Sequence, residues 1–463
     1  MNGLRLLGMS ALVMSSCAIM PSTGPAAEVP ADWKNAAGFP VAAPTKDLSR
    51  WWAKFDDPVL SRIIADALKQ SPTVAEATAR VRQSRAQRNA AAANLLPSVS
   101  GSAGTGATTS HNDVTGSSYS NNFTAGLDAA WEIDLFGKRR SAVDAAAASL
   151  GASEENLHSV QAALASEIAI AYTNLRSTEG QLRVVRDSVK SREETYQLAS
   201  WKTQAGQSDQ LDLKQAESSL EQAKAEIPSL EQSAGQSRNL LAVLAGRPPG
   251  ELNKVLSGGK GVPVPERSLA VGIPSDTLRQ RPDVRVAGYQ WLAAVANTKA
   301  AKAERYPSLN LSGSLGLNTL SSGKIFDPET STASLIMGLT GPIFDFGRIR
   351  ANIESQSAAQ EQTLQSYRAT VLTALSEVED ALIACRRTEE RIAVLDRATA
   401  AAREADQLAA QRYEAGTIDF LTVLDSQRTL LGLEQSIIGV RAQKATAYIQ
   451  LYNALGGGWS AKG

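Results

Sequence analysis

The sequence predicts a mixed α/β membrane protein: a β-barrel assembled from several chains, running on into a long α-helical coiled-coil bundle. Three observations carry this reading. The chain is one unit written twice. Each copy holds strands that are apolar on one face only. Each copy also holds a helical stretch far longer than any globular core is wide.

The repeat has a single offset of 210 residues. Leu68 answers to Leu278, Gln70 to Gln280, Pro72 to Pro282, and Pro97-Ser98 to Pro307-Ser308. Phe136-Gly137 answers to Phe346-Gly347, Glu167 to Glu377, Gly206 to Gly416, Asp209 to Asp419 and Gly246 to Gly456. One constant offset serves all of these landmarks, so no gap is needed. Repeat one spans 57–250 and repeat two 273–459. The linker 251–272 is rich in Gly and Pro and reads as irregular, and 460–463 form a C-terminal tail.

Each copy begins with a helix, expected over Asp57–Leu95 and Ser275–Arg305 and broken by Pro97 and Pro307. Strands of about ten residues follow. Val99, Gly101, Ala103, Thr105 and Ala107 alternate with small polar residues. Leu309, Leu311, Gly313, Leu315 and Leu317 do likewise, and Ala333, Leu335, Met337, Leu339 and Ile343 alternate with Thr332, Ser334, Gly338 and Thr340. Phe123, Ala125, Leu127, Ala129, Trp131 and Ile133 alternate with a face that carries the carboxylates Asp128, Glu132 and Asp134. Every strand carries its apolar face on odd numbers. The polar stretches 108–121 and 318–331 read as the loops between them.

The long helices are expected over Arg139–Gln204 and Arg348–Glu414, each roughly 100 Å at 1.5 Å per residue. Val371, Leu375, Val378, Leu382 and Cys385 step by four and three, as a coiled-coil seam does. Gly206 and Gly416 end these helices, and a return helix follows each.

A single alternating strand usually belongs to a soluble sandwich. Four such strands interrupted by helices of this length do not. Four strands cannot close a barrel, and an open sheet in lipid leaves backbone groups unpaired. Two chains would give eight strands, which barely leave an interior. Three would give twelve, which leave a channel.

Composition narrows the class further. The 463 residues carry 47 basic and 47 acidic side chains, so nothing points to nucleic acid. No apolar stretch is long enough for a transmembrane helix. At the N-terminus, Arg5, a short apolar run from Leu6 to Met14 and "VMSSC" read as a lipoprotein signal over 1–16. Cys17 then becomes a lipidated N-terminus, heading an extended segment over 17–56. The competing reading is a secretory signal with an incidental cysteine.

The stretches "WWAKFDDPVLSRIIADAL" (51–68), "GIPSDTLRQRPDVRVA" (272–287), "PIFDFGRIRA" (342–351), "RYEAGTIDFLTVLDSQRTLL" (412–431) and "LYNALGGGW" (451–459) carry a resemblance. With them the chain resembles the TolC-type outer-membrane efflux channels, in the OprM-like, NodT-type lipoprotein branch. The resemblance implies a homotrimer with a 12-stranded barrel, four strands from each chain. It implies an α-helical periplasmic tunnel, a periplasmic adaptor and an inner-membrane pump of the resistance-nodulation-division type. The location implied is the outer membrane, lipid-anchored and largely periplasmic. The competing class is a periplasmic coiled-coil adaptor or scaffold lipoprotein without a pore, which would not need lipid-facing strands.

The resemblance also implies site residues. Leu421 and Asp425 match the apolar and acidic members of a closing constriction at the periplasmic end, and Tyr413 matches a tyrosine that holds the tips closed. Three Asp425 carboxylates around an axis would form an acidic ring favouring cations. The bland alternative is an Asp425–Arg428 pair at helical spacing. Thr422 and Ile418 stand where some relatives carry a second acid and a linking basic residue. The turns Ala205, Gly206, Gln207 and Ala415, Gly416, Thr417 match the adaptor-contact tips. Trp131 is a candidate for an interfacial aromatic girdle.

Catalysis has little support. His111 and His158 are the only histidines, and no Cys/His cluster has metal-ligand spacing. Asp345-Phe346-Gly347 resembles a kinase tripeptide without its companions. Cys385, on the helix seam, reads as a packing residue. No catalytic residue, metal or cofactor is expected beyond the lipid on Cys17.

Overall fold

The computed structural model describes residues 29–36, 39, 48–114, 116–259, 261–263, 274–320 and 327–459. The signal sequence, Cys17 and the tail 460–463 lie outside the described residues. So does much of the segment 17–56 and of the linker.

The described chain is two copies of one layout. Repeat one runs α1 (Pro58–Gln70), α2 (Pro72–Ala93), β1 (Ser98–Asn112), β2 (Gly116–Ile133), α3 (Lys138–Gln204) and α4 (Gln210–Leu244). A short α5 (Asn253–Leu256) lies between the copies. Repeat two runs α6 (Pro274–Gln280), α7 (Pro282–Ala303), β3 (Ser308–Thr319), β4 (Ser331–Thr340), α8 (Arg348–Glu414) and α9 (Phe420–Ala454). The bounds of α2 and α7, of α3 and α8, and of α4 and α9 each differ by the offset read from the sequence.

The structure corrects the sequence reading in five places. The segment 17–56, read as extended, contains a 3-10 helix over Trp51–Phe55. The first helix of each copy is two helices, not one. Ser71 and Arg281 adopt extended backbone, because the ring of a following proline clashes with a helical predecessor. Pro72 and Pro282 then open the next helix, where a missing N–H costs nothing. The strands of repeat one are longer than expected, with 15 residues in β1 and 18 in β2, whereas β4 has the expected 10. Most of the polar stretch 108–121 is therefore strand, since Ser and Thr pair across a solvated hairpin as readily as apolar residues; Ser110 and Ser118 meet at 2.8 Å. Ile343 lies beyond β4, after Pro342 has removed a ladder donor. The linker, read as irregular, contains α5.

The four strands form one antiparallel sheet in the order β1-β2-β3-β4. Odd residues fall opposite odd residues in all three pairings. Val99, Ala129, Gly313 and Leu335 thus form one row across the sheet, and Trp131, Leu311 and Met337 another. The even face aligns Ser100, Asp128, Ser314 and Ser334. Leu127, Leu315, Leu335, Met337 and Leu339 are exposed in the single chain. The outer edges of β1 and β4 have no strand partner within it.

Strand passes to long helix through glycine. Gly137 and Gly347 cap α3 and α8 with φ of 79° and 87°. The Asp134 carboxylate accepts from the Arg140 N–H at 2.8 Å. Asp345 accepts from the Gly347 and Ile349 N–H groups at 3.0 and 2.8 Å, and these donors hold its carboxyl below the usual range. The kinase-like tripeptide is therefore a helix start. The main core is a belt midway along the bundle. Trp51 stacks on Tyr452 at 5.5 Å, amid Ile64, Ile168, Leu175, Leu382 and Cys385.

Candidate functional site

The α3–α4 and α8–α9 turns lie together at the bundle's far end. Each is a Schellman closure. Gln207 N–H reaches the Lys202 carbonyl at 2.8 Å and Gly206 N–H reaches Thr203 at 3.1 Å. Thr417 N–H reaches Arg412 at 2.9 Å and Gly416 N–H reaches Tyr413 at 3.0 Å. Both glycines have φ near +70°, a left-handed conformation in which a Cβ is strained. Ala205 and Ala415 close the two helices. The six tip residues singled out from the sequence are thus brought into two matching, exposed turns.

Two aspartates start the return helices. Asp419 accepts from the Thr422 N–H at 3.0 Å and from the Thr422 hydroxyl, and these bonds hold its carboxyl low. Thr422 thus serves the cap. Its counterpart in repeat one is Asp212, which accepts from Ser208 Oγ at 2.5 Å.

Tyr413 is buried under the tip. It packs against Ala199, Phe420, Val423 and Leu424, and burial raises its phenol pKa. The Lys202 ammonium donates to the Tyr413 carbonyl and sits 4.2 Å from the centre of its ring. The end of α3 is thereby tied to the end of α8. Lys202 was not singled out from the sequence, although its offset to Arg412 marks both as cations at equivalent places.

Leu421 and Asp425 lie one turn apart on α9, both exposed. No ion pair joins Asp425 to Arg428 among the described residues, so the bland pairing is absent. Tyr413 turns inward, yet it shares a cleft between the tips with Leu421, though not with Asp425. Leu211, the counterpart of Leu421, is exposed as well. The cleft is also lined by Lys202, Ser208, Leu211, Asp212, Gly416 and Asp419.

Above the tip the bundle has a polar layer. Arg192 is buried and donates to Ser188 Oγ at 3.2 Å and to the Ser219 carbonyl at 3.3 Å. Burial and the neighbouring Arg428 lower its pKa. Gln427 donates to Thr195 Oγ1 at 2.9 Å, bridging α9 to α3.

The remaining sequence candidates have structural places. His158 stacks on Trp459 at 4.4 Å and His111 meets Ser117 at 2.8 Å. No group of potential metal ligands occurs among the described residues, and no described helix is long and apolar enough to cross a membrane. Cys385 is fully buried beside Leu175. Trp131 donates to the Leu95 carbonyl at 2.9 Å, at the helix-side end of the sheet.

The family model described as outer membrane efflux protein matches residues 63–247 and again 273–457, one match for each repeat. The chain belongs to this family. It is 34% identical to the pyoverdine export outer membrane protein OpmQ of Pseudomonas putida, over 93% of this chain and 92% of that one. It is 32% identical to nodulation protein T of Rhizobium leguminosarum bv. viciae, over 97% of this chain and 92% of that protein. Among solved structures it superposes on the outer-membrane channel OprN with a TM-score of 0.88 at 30% identity, over 95% of this chain and all of that one. The efflux protein is an outer-membrane transport channel, not an enzyme. Its fold is the expected one, with four strands and two long helical hairpins per chain, and it is shared with solved outer-membrane channels.

Proposed function

We propose that three copies of the efflux protein form a gated, passive conduit, the outer-membrane part of a tripartite efflux system. The carrying observation is the four-stranded sheet. Its odd face carries the apolar rows nearer the helices, its even face is small and polar but for Ile336, both edges are open, and it runs directly into helices of roughly 100 Å. A sheet of that kind is satisfied only by closing on further copies in a bilayer, with the polar face toward a wet lumen. The helices then extend the lumen into the periplasm.

In this reading Leu421 and Asp425 narrow the periplasmic end, and three Asp425 carboxylates make its acidic ring. Tyr413, tied to Lys202, holds the tips together. The turns 205–207 and 415–417 receive a periplasmic adaptor, and an inner-membrane pump of the resistance-nodulation-division type supplies the energy. Cys17 carries the lipid that anchors the chain to the same membrane. The exposed placement of both turns and of the Leu421–Asp425 face supports these roles.

The test is single-channel conductance of the detergent-extracted protein in a planar bilayer, with its mass taken in parallel. Discrete channels from a three-chain species are expected. A monomer, or a bilayer left silent by both the wild type and Asp425→Ala, refutes the conduit in favour of a poreless scaffold.

A further inference from the structure

The internal repeat holds down to individual contacts. Ser98 opposite Ala130 in the first hairpin becomes Ser308 opposite Thr340 in the second, and so on along the ladder. Within one chain, repeat one meets repeat two through β2 with β3 and through α3 with α7 and α9. Closing a ring of copies requires repeat two of one chain to meet repeat one of the next. The equivalent surfaces are β4 with the next β1, and α8 with the next α2 and α4.

The single chain shows these surfaces bare. The helix α3 packs against α2, α4, α7 and α9, whereas α8 packs against α7 and α9 alone to any comparable extent. Phe136 stacks on Tyr306 at 4.7 Å, but their counterparts Phe346 and Leu96 are 91% and 67% exposed.

The same mapping applies at the tip. Inside the chain, the Lys202 ammonium reaches the Tyr413 carbonyl. The offset carries Lys202 onto Arg412 and Tyr413 back onto Thr203. Resting on the trimeric reading above, we propose that Arg412 latches each tip to the next protomer, its guanidinium donating to the backbone carbonyl of that protomer's Thr203. Arg412 repeats inside the ring what Lys202 does inside the chain.

Three features fit. Arg412 is exposed, and its guanidinium makes no hydrogen bond or ion pair with any described residue. The Thr203 carbonyl accepts from the Gly206 N–H at 3.1 Å, as the Tyr413 carbonyl accepts from Gly416 at 3.0 Å. A carbonyl has a second lone pair, and the C-terminal turn of a helix attracts cations. Arginine adds reach and a fork of donors. Thr203 has no ring, so the cation–π part of the Lys202 tie has no counterpart.

The experiment is cross-linking of the purified trimer. Arg412→Cys combined with Thr203→Cys, treated with a short bis-maleimide, is expected to give chain-to-chain dimers and trimers on a denaturing gel. The intrachain pair Lys202→Cys with Tyr413→Cys sets the reach, because it joins the equivalent positions within one chain. A barrel pair, Leu339→Cys with Ala103→Cys, maps from Ala129 opposite Gly313 and reports whether copies meet as the repeat dictates. Arg412→Ala is expected to lower the detergent concentration at which the trimer dissociates, and Arg412→Lys to preserve it. The latch is overturned if the barrel pair cross-links and the tip pair does not. It is also overturned if Arg412→Cys alone gives the same ladder, since its partner is then another Arg412. A protein with no trimeric species overturns the latch together with the channel reading.

Discussion

Replacing Lys202 with methionine isolates the tie between the two tips. Methionine keeps most of the stem and removes the ammonium. Two contacts go: the hydrogen bond to the Tyr413 carbonyl and the cation 4.2 Å from its ring centre. A charged donor contributes about 1.5–3 kcal/mol when well shielded. Lys202 is only partly buried, so ~1 kcal/mol is the fair figure here. The cation–π contact adds ~0.5–1 kcal/mol. Together these amount to about 2 kcal/mol, close to 30-fold in an equilibrium constant. The tie joins the end of α3 to the end of α8, so widening that parts these ends must break it. A tip that is open ~1% of the time would then be open about a quarter of the time. Single-channel recording in planar bilayers reads that change as open probability. Lys202→Arg keeps the charge and should stay within a few-fold of wild type. An unchanged open probability for Lys202→Met would show that the tie does not restrain opening.

Three further outcomes are expected. Asp425→Asn should reduce cation preference, because three neutral amides replace three carboxylates at the constriction; reversal potentials across a salt gradient that match wild type would rule out the ring. Gly246→Ala should destabilise by about 2 kcal/mol, because φ is +70° and a Cβ would stand 2.9 Å from the Gln70 carbonyl oxygen. Gly206→Ala, with open space around it, should cost only about 1 kcal/mol, and equal thermal midpoints for the two would contradict the contact argument. Burial, with Glu389 adding to it, pushes the Cys385 thiol up to about 12, so maleimide should label it in denaturant and not in the folded protein at pH 8. The raised value means that its contribution to stability is full below the ordinary thiol pKa and lost as pH rises toward 12.

Much of the fold is legible in the residues because its determinants are local and doubled. Alternation at Phe123–Ile133 needs only the two-residue period of a strand. Gly206 and Gly416 stop helices because a left-handed cap tolerates no Cβ. The proline effect at Pro72 was equally local, yet a continuous run of helix formers on either side masked it. The candidate site was less legible. Leu421 and Asp425 came from resemblance, since an exposed leucine and aspartate on one helix carry no pattern of their own. Lys202 escaped notice because its partner is a backbone carbonyl more than two hundred residues away, and a carbonyl leaves no mark in a sequence.

The sequence by itself determined the repeat, its offset and the two-faced strands, because each follows from period, punctuation and spacing. Only the tertiary structure decided which side chains share the tip. It turned Tyr413 inward beneath Lys202, left Leu421 and Asp425 outward, and left Arg412 bare. Helix propensity fixes where a helix starts and stops. The side it shows its neighbour is set by packing against elements distant in sequence, and no local rule encodes that choice.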